Sequence, residues 1–317
     1  WSNCAQRTRF SASTICRLHG ATKALVSAAF LTLLEERRVG LDDRIDRFIR
    51  FSSQVSARAG SAARRAKCAP TIRHLLTMTA GLEYTDCPAY KRIIADVRKR
   101  KISSLASFCD ALADIPLQFE PGTKYEYSFC TDVLGRLCEV ISGKPLDVFV
   151  RERILKPLRM KDTHFVLPRH KAGRVASLYK CVPSAGTSRS ARKYTPVLWR
   201  EGDSAPGIMS AGGGILSYAD HGMWGTARDY ARFCQMLLDG GRAPGGGRVL
   251  RADTVRFCWR DVLAAVARRD GRLANWHVDE TEGPPWPGAS WERCGWSPLN
   301  TLLQLVGPLR ARAKMPR

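Results

Sequence analysis

Residues 19–30, HGATKALVSAAF, place Lys23 one turn inside an apolar helix and Gly20 three residues before it. Working outward, residues 21–38 are rich in Ala and Leu, end in Glu35, Glu36, Arg37 and Arg38, and stop before Gly40. Strong helix formers followed by a glycine breaker predict a helix over this span. Leu25, Ala28, Ala29, Leu31, Leu33 and Leu34 leave it little polar face, so it must be covered on nearly every side. With about 3.6 residues per turn, positions 20 and 23 lie about 60° apart on one face, and whatever stands at 20 adjoins the Lys23 ammonium.

The whole chain has 317 residues, of which 44% are hydrophobic, enough to bury a sizeable core. Lys plus Arg number 51 against 29 Asp plus Glu, a formal charge of +22. Such an excess attracts anions of many kinds. The basic residues are spread along the chain, however, and no helix-turn-helix, zinc-finger or RNP-like pattern supplies a groove, so no specific nucleic-acid binding is expected. Eleven cysteines without a CxxC pair give neither zinc-site nor redox-motif spacing. They read as free, mostly buried thiols and lean towards a reducing, intracellular compartment. No metal site and no cofactor are expected. No apolar run reaches the roughly 18–20 residues of a membrane span. The opening WSNCAQRTRF has neither an initiator Met nor a signal-peptide core, and the N-terminus is expected to be incomplete or processed.

Helical spacing recurs at 71–80, 89–99, 103–113, 131–143 and 145–155. FEPGTKYEYS, ahead of the fourth of these, contains a Pro-Gly turn. Residues 183–207, rich in Ser, Arg, Gly and Pro, read as a loop. Residues 226–241 open with Thr226 as N-cap and Asp229 three positions later, and close on glycines. The strand candidates are short: THFVL at 163–167, RVL at 248–250 and TLLQLV at 301–306.

Taken in order, four segments resemble the serine beta-lactamase-like family, which includes class C beta-lactamases, DD-peptidases, esterases and the mitochondrial beta-lactamase-like protein. They are STICRLHGATKALVSAAFLTLLEERRVGLDDRIDRFI, TIRHLLTMTAGL, FEPGTKYEYSFCTDVLGRLCEVISGKPLDVFVRERILKPLRMKDTHF and GGGILS…TARDYARFCQMLLDGG, spanning roughly residues 10–260. The resemblance implies an α+β fold of the beta-lactamase/transpeptidase type. It also implies a domain over 1–260, with a helical part at 41–205 inserted between the nucleophile helix and the Gly-rich segment, and a divergent tail at 261–317. Because the family's flanking strands are not recognisable, this chain is expected to be mainly helical with its antiparallel sheet largely missing. The helix at 21–38 is then expected to be under-covered and to expose an apolar patch.

The family's Ser-x-x-Lys motif matches Gly20 and Lys23, with glycine in the nucleophile's place. A serine there would need its neighbouring lysine to assist deprotonation; a glycine can form no acyl-enzyme. The Tyr-x-Asn motif matches Tyr127-Ser128-Phe129, which keeps the tyrosine of the proton shuttle and replaces the amide by a phenyl ring. The Lys-Thr-Gly or His-x-Gly triplet is not found. Thr22 projects about 200° round the helix from position 20 and does not substitute for the serine. Cys16 is expected to pack, Ser210 lies in a glycine-rich turn that does not fit G-x-S-x-G, and Asp220-His221 reads as a surface pair. Two functions follow. One is a hydrolase acting on a small-molecule amide or ester, inactive in this chain because Gly20 replaces the nucleophile, with Lys23 and Tyr127 as remnants. The other is a non-catalytic binding or scaffold protein, or a truncated gene product. Repairing Gly20 to serine is expected to restore little activity.

Overall fold

The computed structural model describes residues 2, 7–56, 63–83, 88–182, 193–197 and 222–260. The chain opens with strand β1 (Ile15–Arg17), a 3-10 turn (His19–Ala21) and helix α1 (Thr22–Glu35). After the short strands β2 (Gln54–Val55) and β3 (Arg64–Arg65) come α2 (Ile72–Leu76), α3 (Pro88–Arg98), α4 (Leu105–Ala113), α5 (Cys130–Ser142) and α6 (Leu146–Val150). A π-helical turn (Arg151–Leu155) continues α6. The rest comprises β4 (Leu178–Val182), β5 (Lys193–Val197), β6 (Trp224–Thr226), α7 (Ala227–Leu238) and α8 (Ala252–Cys258).

The helix boundaries follow local chemistry. At α4, Ser104 Oγ accepts from the Ser107 amide at 3.1 Å while Ser107 Oγ accepts from the Ser104 amide at 3.1 Å, a reciprocal cap that satisfies two otherwise orphaned donors. At α7 the expected cap forms, with Thr226 Oγ1 accepting from the Asp229 amide at 3.2 Å. At α2 the Thr71 amide donates to His74 Nδ1 at 3.2 Å. This helix is shorter than the apolar spacing at 71–80 suggests, because Met78 turns into a left-handed conformation at φ +55°. Gly143, at φ +72°, closes α5.

Residues Thr22–Leu33 of α1 are all buried. The expected under-covered helix is therefore not observed. Helices α5 and α6 and the π-helical turn pack against α1, so neighbouring helices supply cover that the sequence seemed to lack. Each Leu or Val fully buried in this way contributes about 1.5–3 kcal/mol. Among the described residues the exposed large apolar side chains are Phe10, Val140 and Val166, which do not belong to α1.

Among the described residues the sheet content is small. Antiparallel β1–β6 pairs Ile15 with Thr226, Cys16 with Gly225 and Arg17 with Trp224; β2–β3 and β4–β5 are two further antiparallel ladders. The 163–167 candidate contributes a bridge, in which His164 and Trp224 exchange backbone hydrogen bonds of 2.9 and 2.7 Å. The 248–250 candidate contributes a bridge from Arg242 to Arg248; residues 301–306 lie outside the described residues. One expectation is overturned: β5 falls inside 183–207, read as loop. Tyr194, Thr195 and Val197 suit a strand, but five such residues surrounded by loop-forming composition were too few to signal one. Cysteines 16, 68, 109, 130, 138, 234 and 258 are free thiols, and burial pushes Cys130 and Cys258 up to about 12.

Candidate functional site

The first turn of α1 carries Lys23, only 1% exposed. Its Nζ donates to Tyr127 Oη at 2.7 Å and lies 4.6 Å from the centroid of the same ring. Tyr127 arrives on the segment ahead of α5. Two backbone bonds anchor that segment beside α2, Gly122 N–H to Thr79 C=O at 2.8 Å and Glu126 N–H to Met78 C=O at 3.0 Å. Gly122 is required there: at φ +82°, a Cβ would stand 2.9 Å from His74 Nε2. Burial, and then Tyr127, pushes the neighbouring Tyr125 phenol upward.

Gly20 completes the group. A Cβ built on it would lie 3.5 Å from Tyr127 Oη and 3.8 Å from Lys23 Nζ, both ordinary contacts, with nothing else within 4 Å among the described residues. Gly20 is also outside the left-handed region, so its backbone accepts an L side chain. Gly20, Lys23 and Tyr127, separated by up to 107 positions in sequence, thus meet at one point. Gly20 and Tyr127 are half-buried.

Phe129 belongs to the core. It is 0% exposed, stacks on Tyr90 at 5.9 Å between ring centroids, and meets Phe108 edge-on at 5.2 Å. The phenyl ring at the asparagine position thus fills an aromatic cluster of α3, α4 and the start of α5.

Contacts that the sequence did not reveal hold the start of α1. Thr22 Oγ1 accepts from the Met223 amide at 2.9 Å, the Leu18 amide donates to Met223 C=O at 2.8 Å, and Tyr230 Oη donates to Ala21 C=O at 3.1 Å. The first of these engages the Thr22 hydroxyl. Gly222 is indispensable to this clamp, since a Cβ on it would stand 2.2 Å from Thr22 Oγ1. Gly222, the first of two glycines in HGMWGTARDY, was its one visible signal. His19, at φ +43°, turns the chain from β1 into the 3-10 turn. Burial, and then Arg17, holds its imidazole below the usual range. Cys16 is half-buried, and burial pushes its thiol up. Ser210, Asp220 and His221 lie outside the described residues. Among the described residues no group of three or more His, Cys, Asp or Glu is placed to hold a metal, and no helix is long and apolar enough to cross a membrane.

Chemically, Lys23 Nζ and Tyr127 Oη are placed side by side, both able to donate a hydrogen bond to an atom that adjoins them. An attacking side chain is what position 20 lacks. A separate cleft of about 750 Å³ lies at the other end of α1, lined by Leu31, Leu34, Glu35, Arg37 and Phe257 among others.

The family described as Beta-lactamase matches residues 1–295, and the chain belongs to that family. Protein Rv1367c of Mycobacterium tuberculosis is 31% identical over 265 residues, covering 82% of this chain and 62% of that protein. Esterase EstB of Burkholderia gladioli is 29% identical over 298 residues, covering 86% of this chain and 65% of the esterase. This chain therefore spans a little under two thirds of these curated relatives' length, 62% and 65%. Among solved structures, EstCE1, a hydrolase with promiscuous acyltransferase activity, superposes with a TM-score of 0.65 at 23% identity, covering 82% of this chain and 67% of that one. The fold is thus of the beta-lactamase/transpeptidase type, rich in helix among the described residues, as the sequence segments implied.

Proposed function

We propose that this chain is a beta-lactamase-related protein that keeps the Lys23–Tyr127 proton-transfer pair and forms no acyl-enzyme. The observation that carries this reading is at Gly20: the position whose side chain would touch both Tyr127 Oη and Lys23 Nζ has no side chain. The remaining pair can bind and polarise the carbonyl of a small amide or ester, the ligand class suggested by a relative named an esterase. It offers no covalent attachment point. The same geometry supports a non-catalytic binding role, in which ligand occupies the site without being attacked.

The test is covalent labelling. A fluorophosphonate and a fluorescent penicillin are expected to leave the chain unlabelled, and an activated ester is expected to show no initial burst of chromophore. A stoichiometric adduct, mapped by mass spectrometry to any residue, refutes the reading. Resequencing the codon for Gly20 is the complementary check, since a serine codon there removes the observation that carries the reading.

A further inference from the structure

We propose that the cleft at the C-terminal end of α1 binds an amphiphilic carboxylate, with the apolar chain on the cleft floor and the carboxylate on Arg37. The inference does not depend on the Lys23–Tyr127 pair. Leu34, which lines the cleft, lies roughly 16 Å along the helix axis from Lys23, and the cleft shares no residue with that pair.

The cleft holds about 750 Å³, within the range of roughly 300–1,000 Å³ usual for small-molecule sites. Its apolar lining consists of Leu31 and Val39, which are buried, and Leu34, Leu41 and Phe257, which are half-buried. They come from α1, the segment that follows it, and α8. Arg37, Arg38, Arg47 and Arg251 line the same cleft and are exposed. A covered apolar floor with a charged rim fits a molecule with an apolar body and one charged end.

The sign of that charge follows from the lining. Four arginines stand against three acids, Glu35, Asp43 and Asp253, which leaves one positive charge in excess. The acids are already engaged. Asp43 Oδ1 takes Arg47 Nη1 at 2.6 Å and its Oδ2 accepts from the Gly40 amide at 2.8 Å. Glu35 Oε1 accepts from the Arg251 amide at 2.7 Å, and Asp253 pairs with Arg256. Arg38 donates to Ile141 C=O, which is neutral. Arg37 has neither an ion pair nor a side-chain hydrogen bond among the described residues. One excess charge suits a monoanion, and the planar guanidinium fork meets a carboxylate through two parallel hydrogen bonds.

The backbone at Arg37 agrees with this. The Arg38 and Arg37 amides donate to the Leu33 and Leu34 carbonyls at 3.1 and 3.0 Å, the paired bonds of a Schellman ending, and Arg37 holds φ +56°. Glycine takes that conformation without strain. The arginine therefore does not serve the helix ending, and its guanidinium is left for the cleft.

The experiment is calorimetric titration of the full chain with sodium decanoate below its micelle concentration. One site per chain is expected, at least about 10-fold tighter than for butyrate, whose chain is six methylenes shorter. Decyltrimethylammonium, with the same chain and the opposite charge, is expected to bind more weakly than decanoate. Arg37→Gly is the decisive variant, because it relieves the backbone while removing the guanidinium. Its denaturation midpoint should be no lower than the parent's, while its decanoate affinity falls about 5-fold. Phe257→Ala, with circular dichroism matching the parent, should also weaken decanoate. Equal decanoate affinity in parent and Arg37→Gly, a preference for the cationic amphiphile, or no binding by the parent overturns the proposal. So does a loss of binding in Tyr127→Phe that Arg37→Gly does not share, which would put the ligand at the other end of α1.

Discussion

Gly222→Ala tests the clamp that sets the start of α1. The added methyl meets Thr22 Oγ1 at 2.2 Å, with His19 C=O and Thr22 Cβ both at 3.0 Å, so something must move. Holding an L residue at the observed φ of +68° costs about 1–2 kcal/mol. Displacing the Thr22 hydroxyl removes the acceptor of the buried Met223 amide, and an unsatisfied buried donor costs about 1–3 kcal/mol. The total is about 2–5 kcal/mol, read as a lowered midpoint in chemical denaturation at unchanged slope. Thr22→Ala alone loses only the hydrogen bond. The double variant avoids the worst contact, so it is expected to be at least about 1 kcal/mol more stable than the sum of the two single losses predicts. A Gly222→Ala loss below about 1 kcal/mol, or strict additivity in the cycle, would refute the clamp as described.

Three further outcomes are expected. Gly20→Ser, placed beside Tyr127 Oη and Lys23 Nζ without backbone strain, gains a fluorophosphonate label at position 20 but little turnover, since one member of a catalytic unit does not restore the whole; fast multiple-turnover hydrolysis would contradict this. Phe129→Asn, which restores the family's residue type, destabilises by about 3–5 kcal/mol because it empties the ring's place between Tyr90 and Phe108 and buries an amide among apolar groups; a neutral or stabilising change in denaturation would show that the ring is dispensable there. Finally, burial, and then Arg73, holds the His74 imidazole below its usual range, with Asp42 opposing. The unfolded chain therefore binds more protons than the folded one as pH falls below about 6.5, and stability drops there. His19 and His164 are lowered in the same sense, so His74→Gln should flatten the decline between pH 7.5 and 5 without abolishing it; an unchanged slope would remove His74 from the account.

Much of the fold could be read in advance where the signal is local. All seven expected helices occur, because Thr226, Ser104 and Gly143 act through bonds a few residues long and apolar spacing reports which face is covered. Strands were harder to see. β5 has five residues and β1 three, too short to signal themselves, and β1 pairs across more than 200 positions with β6. The same limit explains why cover for α1 was misjudged, since neighbouring helices supply it.

At the site, the residue types alone supply the terms of the proposal: position 20 carries no side chain, and Lys23 and Tyr127 are the groups to which it assigns proton transfer. Only the tertiary structure decided that these positions meet. The 2.7 Å bond between Lys23 and Tyr127, the contact distances at Gly20 and the role of Gly222 against Thr22 are relations between segments 100 to 200 residues apart, and Phe129 is buried against rings from two other helices. Helical periodicity fixes direction along a few turns; it carries no information about which distant segment packs against that face. That choice depends on the shape and volume of the whole core, where close packing leaves each side chain one place to go.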